Sequence, residues 1–73
     1  MKIKEMKAKA KEQIESELLY FERMKEIEQK EREYDIIYYL TDLCYEVGLL
    51  SWYERAEYIQ QAQEIRDTTI GFE

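Results

Sequence analysis

An all-α fold is predicted: a long N-terminal helix followed by a C-terminal helical hairpin, together a small three-helix domain open to dimerisation. Three observations predict it. The 73 residues contain no Pro and only two Gly, at 48 and 71, so little interrupts a helix before residue 48. Apolar residues recur at helical spacing through most of the chain. Finally, Ser51-Trp52-Tyr53-Glu54 is a helix-start signature placed just after a Gly able to close the preceding helix.

Residues 1–11 read as a basic arm and residues 12–30 as the first helix, with one apolar stripe running through both. Its members are Ile3, Met6, Ala10, Ile14, Leu18, Phe21 and Met24. At 100° per residue all seven fall within about 120° of arc, the width of a core-facing stripe. A strict heptad would place Gln13 and Glu17 on the seam, so a long coiled coil is not predicted. The stripe fails at residues 28–33, which hold no apolar side chain, and a bend or short loop is expected there. A rod of about 25 residues would span ~38 Å, against ~23 Å for each following helix. Its Lys-rich start should therefore overhang, and Lys at a helix N-terminus opposes the macrodipole and favours fraying.

The hairpin is assigned to residues 33–47 and 52–67. In its first helix Ile36, Leu40, Leu43 and Val47 form the expected core face, with Cys44 near the buried side. The opposite face carries Asp35, Tyr39, Asp42 and Glu46, spaced 4, 3 and 4 residues apart. Gly48 is placed to take the left-handed conformation that ends this helix. Ser51 and Glu54 then form a capping box, each side chain bonding the other's backbone amide. The last helix buries Trp52, Ala56, Tyr58, Ile59, Ala62 and Ile65, and presents Tyr53, Glu57, Glu64 and Asp67 outward. The tail, 68–73, is expected to fray unless Ile70 and Phe72 dock.

Size and composition narrow the function. Chains this small bury only about 60% of their unfolded surface and are marginally stable. Cys44 is the lone cysteine and there is no His, which excludes an intrachain disulfide and argues against a zinc site or any other metal or cofactor. A reducing cytoplasm fits one Cys in a Lys/Glu-rich chain. No apolar run reaches the ~18 residues of a membrane span. Catalysis is not expected: no His is present, Cys44 is predicted buried, and so small a helical domain has little room for a cleft.

Charge is divided unevenly along the chain. Residues 1–11 hold five Lys against one Glu, a net of +4, and residues 12–73 hold six Lys or Arg against sixteen Asp or Glu, a net of −10. The acidic part also carries all seven Tyr. The helix, Gly-containing turn and helix around Gly48 match a helix-turn-helix in outline. Its second helix is acidic, with only Arg55 and Arg66 basic, so phosphates would be repelled and direct nucleic-acid reading is not expected.

Acidic rows that each contain a Tyr fit a basic protein surface, with carboxylates pairing Lys or Arg and Tyr as a low-entropy anchor. The expected partner-binding residues are Asp35, Tyr39, Asp42, Glu46, Tyr53 and Glu57. They suit a small non-catalytic protein that occludes a basic site on a larger protein. An inhibitor of a nucleic-acid-handling enzyme, of the phage anti-defence kind, has this character. The alternative is a structural homo-oligomer that uses the 3–24 stripe, with Ile14, Leu18, Phe21 and Met24 at its centre. The two readings separate on whether that stripe packs within the chain or against another copy.

Overall fold

The computed structural model describes residues 2–70, with the side chains of 69 and 70 outside that description. Among the described residues there are three helices and no strand: α1 (Ile3–Arg23), α2 (Ile27–Glu46) and α3 (Trp52–Ile70). The protein is an all-α three-helix domain. Docking of the Ile70 and Phe72 side chains lies outside the described residues.

The helices come out nearly equal, at 21, 20 and 19 residues, because the first break falls earlier than expected. The chain turns at Met24-Lys25-Glu26, not at 28–33. Met24 and Glu26 are extended, and the Met24 amide closes α1 on the Phe21 carbonyl at 3.1 Å. Neither Lys2 before α1 nor Glu26 before α2 makes a side-chain cap. No local signal marks this turn, so tertiary packing sets it. The polar run 28–33 stays helical because its residues are mostly strong helix formers. Good helix formers also keep α1 helical from Ile3, where fraying was expected.

The second boundary is written locally. Gly48 has φ +84°, in the left-handed region. The Leu49 amide bonds the Cys44 carbonyl at 2.8 Å and the Gly48 amide bonds the Tyr45 carbonyl at 3.0 Å, which is the Schellman pattern. Three residues on, the Glu54 amide donates to Ser51 Oγ at 3.1 Å and the Ser51 amide to Glu54 Oε1 at 2.9 Å. Leu50, between these two devices, is buried and closes that end of the core, with Leu49 half-buried beside it.

α2 and α3 are antiparallel across this turn. α1 runs parallel to α3: Lys11 pairs with Glu54, and Tyr58 donates to Glu15 at 2.9 Å, both at an offset of 43 residues. Residues 2–9 are exposed throughout and extend past the α2–α3 turn, giving a body 45 × 19 × 13 Å. The basic start does overhang, as two turns of helix.

The core joins Ile14, Leu18 and Phe21 of α1, Ile37 and Cys44 of α2, Leu50, and Ala62 of α3. Ala10, Met24, Tyr34, Leu40, Leu49, Tyr58 and Ile65 pack on it. The 3–24 stripe is thus consumed from Ala10 onward by the chain's own hairpin. Ile14, Leu18, Phe21 and Met24 do not form a face free for a second copy, which corrects their assignment to oligomerisation. Only Ile3 and Met6 remain in solvent.

The facing of α2 differs from expectation by one residue, a rotation of roughly 100°. Its buried line is Lys30, Glu33, Ile37, Thr41 and Cys44. Ile36, Leu43 and Val47, expected inside, are 53%, 57% and 60% exposed. Trp52, expected inside α3, is also mostly exposed. Trp52 stands at the first turn of α3, where Leu49 and Leu50 already fill the end of the core.

Candidate functional site

The expected partner surface is only partly assembled. Asp35, Tyr39 and Glu46 stand exposed on α2, and Tyr53 and Glu57 on α3. Asp42 does not join them: Arg55 Nε donates to its Oδ1 at 2.8 Å across the hairpin, and both side chains are about two-thirds buried or more. Asp42 is therefore a hairpin residue, which corrects its assignment to partner binding. The one-residue rotation of α2 is the cause, since it carries Asp42 toward α3.

The abundance of Tyr has largely the same explanation. The Arg55 guanidinium lies 5.8 Å from the Tyr38 ring centre and 5.7 Å from that of Tyr45, and Arg55 Nη2 donates to the Tyr38 hydroxyl at 3.4 Å. Arg66 lies 4.3 Å over the Tyr34 ring, whose hydroxyl accepts from Gln63 at 3.4 Å. Both arginines of α3 thus sit against α2 tyrosines in cation–π contact, Arg55 against two rings and Arg66 over one. Tyr58 is committed to Glu15, and burial pushes its hydroxyl up to about 12, with the hydrogen bond to Glu15 adding to the shift. Tyr34, Tyr38, Tyr45 and Tyr58 are joints between helices. Tyr20, Tyr39 and Tyr53 are left in solvent, and the Tyr39 ring is braced edge-on by Tyr38 at 6.4 Å.

Around Tyr39 the sequence reading missed an apolar component. Ile36, Tyr39, Leu43 and Val47 lie on one side of α2, with Leu40 at its inner edge. On α3 the exposed Trp52, Tyr53, Glu57 and Gln60, with half-buried Ala56, line an open depression of about 260 Å³. The missed signal was the doublet Ile36-Ile37. Two stripes roughly 100° apart compete on α2, and the less apolar one is buried. The spacing Tyr34, Tyr38, Tyr45 with Asp42 marks the flank that Arg55 and Arg66 require.

Two carboxyl groups meet inside the α1–α2 contact. Glu33 is buried with Oε2 lacking a partner, and Glu17 of α1 lies against it. Burial first, then the hydrogen bond and charge of Glu17, push the Glu33 carboxyl up to about 7. The fully buried Thr41 Oγ1 also lacks a hydrogen-bond partner. Cys44 is buried, which raises its thiol and leaves it a small hydrophobe. Among the described residues no group of three His, Cys, Asp or Glu side chains converges as metal ligands, and no helix is long and apolar enough to cross a membrane.

Fold and surface together define a small three-helix domain with an acidic exterior, two prominent tyrosines and an uncovered apolar face on its middle helix. Comparison with protein-family models, with curated proteins and with solved structures gives no match.

Proposed function

We propose that this chain is a small, acidic, non-catalytic binding protein that works by occupancy, covering a basic site on a larger protein. The observation that carries the reading is the division among its tyrosines. Four make contacts between helices and three stand in solvent; of these, Tyr20 is 59% exposed, and Tyr39 and Tyr53 are 73% and 75% exposed beside Asp35, Glu46 and Glu57. Large rigid aromatics in solvent among carboxylates suit recognition of Lys- or Arg-rich surfaces, which the acidic rows also steer toward them. Basic grooves of nucleic-acid-handling enzymes have this chemistry, so an inhibitor of such an enzyme, of the phage anti-defence kind, is the form of the reading we favour. A cytoplasmic setting accords with one buried Cys in a Lys/Glu-rich chain.

The test is capture of a target from nuclease-treated host lysate by the tagged chain, beside a Tyr39→Ala/Glu46→Lys control. Asp42 is left intact because it holds Arg55. A stoichiometric protein that is lost in the control, and that nucleic acid displaces from the wild type, is the expected result. A target retained equally by the control overturns the surface, and one indifferent to nucleic acid overturns the basic groove.

A further inference from the structure

Two surfaces of this chain are apolar, exposed and opposite in charge. The first is the overhanging arm, where Ile3 and Met6 continue the core stripe of Ala10 and Ile14 into solvent. Lys2, Lys4, Lys7 and Lys9 surround them, with Glu5 the single acid. The second is the outer side of α2, where Ile36, Leu43 and Val47 are exposed and Asp35 and Glu46 lie alongside. Both have the spacing of a helix-pairing seam: 3 and 4 through Ile3, Met6 and Ala10, and 4, 3 and 4 through Ile36, Leu40, Leu43 and Val47. Ala10 and Leu40 border the chain's own core, while Ile3, Met6, Ile36, Leu43 and Val47 are left exposed among the described residues.

We infer that the α2 face is the seat of the N-terminal arm of a second copy, the two copies exchanging arms in a two-fold dimer. The arm lies beyond the α2–α3 turn, so copies placed turn to turn lay each arm along the C-terminal half of the other's α2. In that arrangement the arm runs parallel to its host helix. Residues 3–9 rise about 10 Å, close to the rise from Leu40 to Val47. Ile3 and Met6 then meet Leu40 and Leu43 of the other copy, Val47 lies by the base of the arm, and the arm's lysines flank Glu46, with Asp35 just beyond the arm's tip, as charges flank an a/d seam.

Charge selects this occupant over the obvious rival, a second α2 face. Two α2 faces would set Asp35 and Glu46 of one copy near those of the other, whereas the arm, with four Lys and one Glu in residues 2–9, offers a net of +3 to a body of net −9. Reciprocity gives the area. A stable dimer buries roughly 1,200 Å² in all, or about 300 Å² from each of four surfaces, a demand that a two-turn arm with its Lys stems can meet. A contact that failed to reciprocate would propagate head to tail instead.

Sedimentation equilibrium of the purified full-length chain tests the inference alone, apart from any target. The expected result is a dimer weakened about tenfold or more by Leu43→Glu and, separately, by Met6→Glu, and weakened by added salt. All these side chains are exposed, so circular dichroism should stay unchanged. Lys7→Glu should weaken the dimer and Glu46→Lys in the same chain should restore it. A monomer at every concentration overturns the inference, as does a dimer indifferent to Leu43→Glu. A dimer lost with Leu43→Glu but kept with Met6→Glu overturns the arm as occupant in favour of α2 on α2. Failure here leaves the basic-site reading standing, because that reading is tested on a captured target.

Discussion

Asp42 accepts a 2.8 Å hydrogen bond from Arg55 Nε, and that contact ties one flank of α2 to α3. It turns the Tyr38 and Tyr45 rings toward the same guanidinium and holds it well charged, above its ordinary range, chiefly through the bond to Asp42. Turning this flank toward α3 leaves Ile36, Leu43 and Val47 outside.

Removing Asp42 should therefore damage the hairpin. Asp42→Ala leaves the Arg55 side chain without its carboxylate and should measurably lower stability in urea unfolding. Asp35→Ala, on the exposed side, should change stability by less than about 0.5 kcal/mol. Equal effects of the two would show that the pair is not what sets α2.

Thr41 gives a prediction of opposite sign. Its hydroxyl is fully buried without a partner. Thr41→Val keeps the shape and removes the orphaned group, so the midpoint of thermal unfolding should rise by the equivalent of about 1 kcal/mol. A fall would mean that the hydroxyl is satisfied in solution.

At Gly48 no atom lies within 4 Å of where a Cβ would stand, so only the backbone resists substitution. Gly48→Ala should cost about 1–2 kcal/mol, the strain of a left-handed residue with a Cβ. Gly48→Asn should cost less, because Asn tolerates that conformation. If Ala and Asn behave alike, the Schellman turn does not depend on φ.

Acid and base should weaken the fold through different carboxyls. Glu33 is raised in the fold from 4.5 to about 7. The folded state thus holds its proton more tightly, and this contribution is complete below about pH 4.5 and lost as pH rises through 7. The slope cannot exceed about 1.4 kcal/mol per pH unit for one proton. Glu33→Gln should flatten the stability profile between pH 5 and 7, roughly the interval in which the group titrates. Glu54 is lowered to about 2, first by its hydrogen bond to Lys11 and then by the Ser51 amide. Its contribution is complete above about pH 4.5 and is lost as pH falls through 2. Lys11→Met should reduce that acid sensitivity and leave the arm of the profile near pH 6 as it was.

Where the chain carries a local device, the sequence was sufficient. Gly48, Ser51 and Glu54 specify the second turn through a φ sign and two side-chain hydrogen bonds, all within seven residues. The stripe from Ala10 to Met24 specifies the inner face of α1 by spacing alone. The overhang of residues 2–9 and the exposure of Tyr39 and Tyr53 were also legible.

The rest needed the assembled molecule. The first turn, at 24–26, has no Gly, Pro or side-chain cap, so only the packing of α1 against the hairpin places it. The facing of α2 is a choice between the Ile36 and Ile37 stripes, and apolar content alone favours the Ile36 stripe, the one the molecule leaves outside. Arg55 and Arg66, roughly 150° around α3 from its outer row, settle that choice by seeking Asp42 and the tyrosine rings of a helix distant in sequence. A side chain's partner across a hairpin is a tertiary fact, and here it decides which apolar residues become core and which remain as surface.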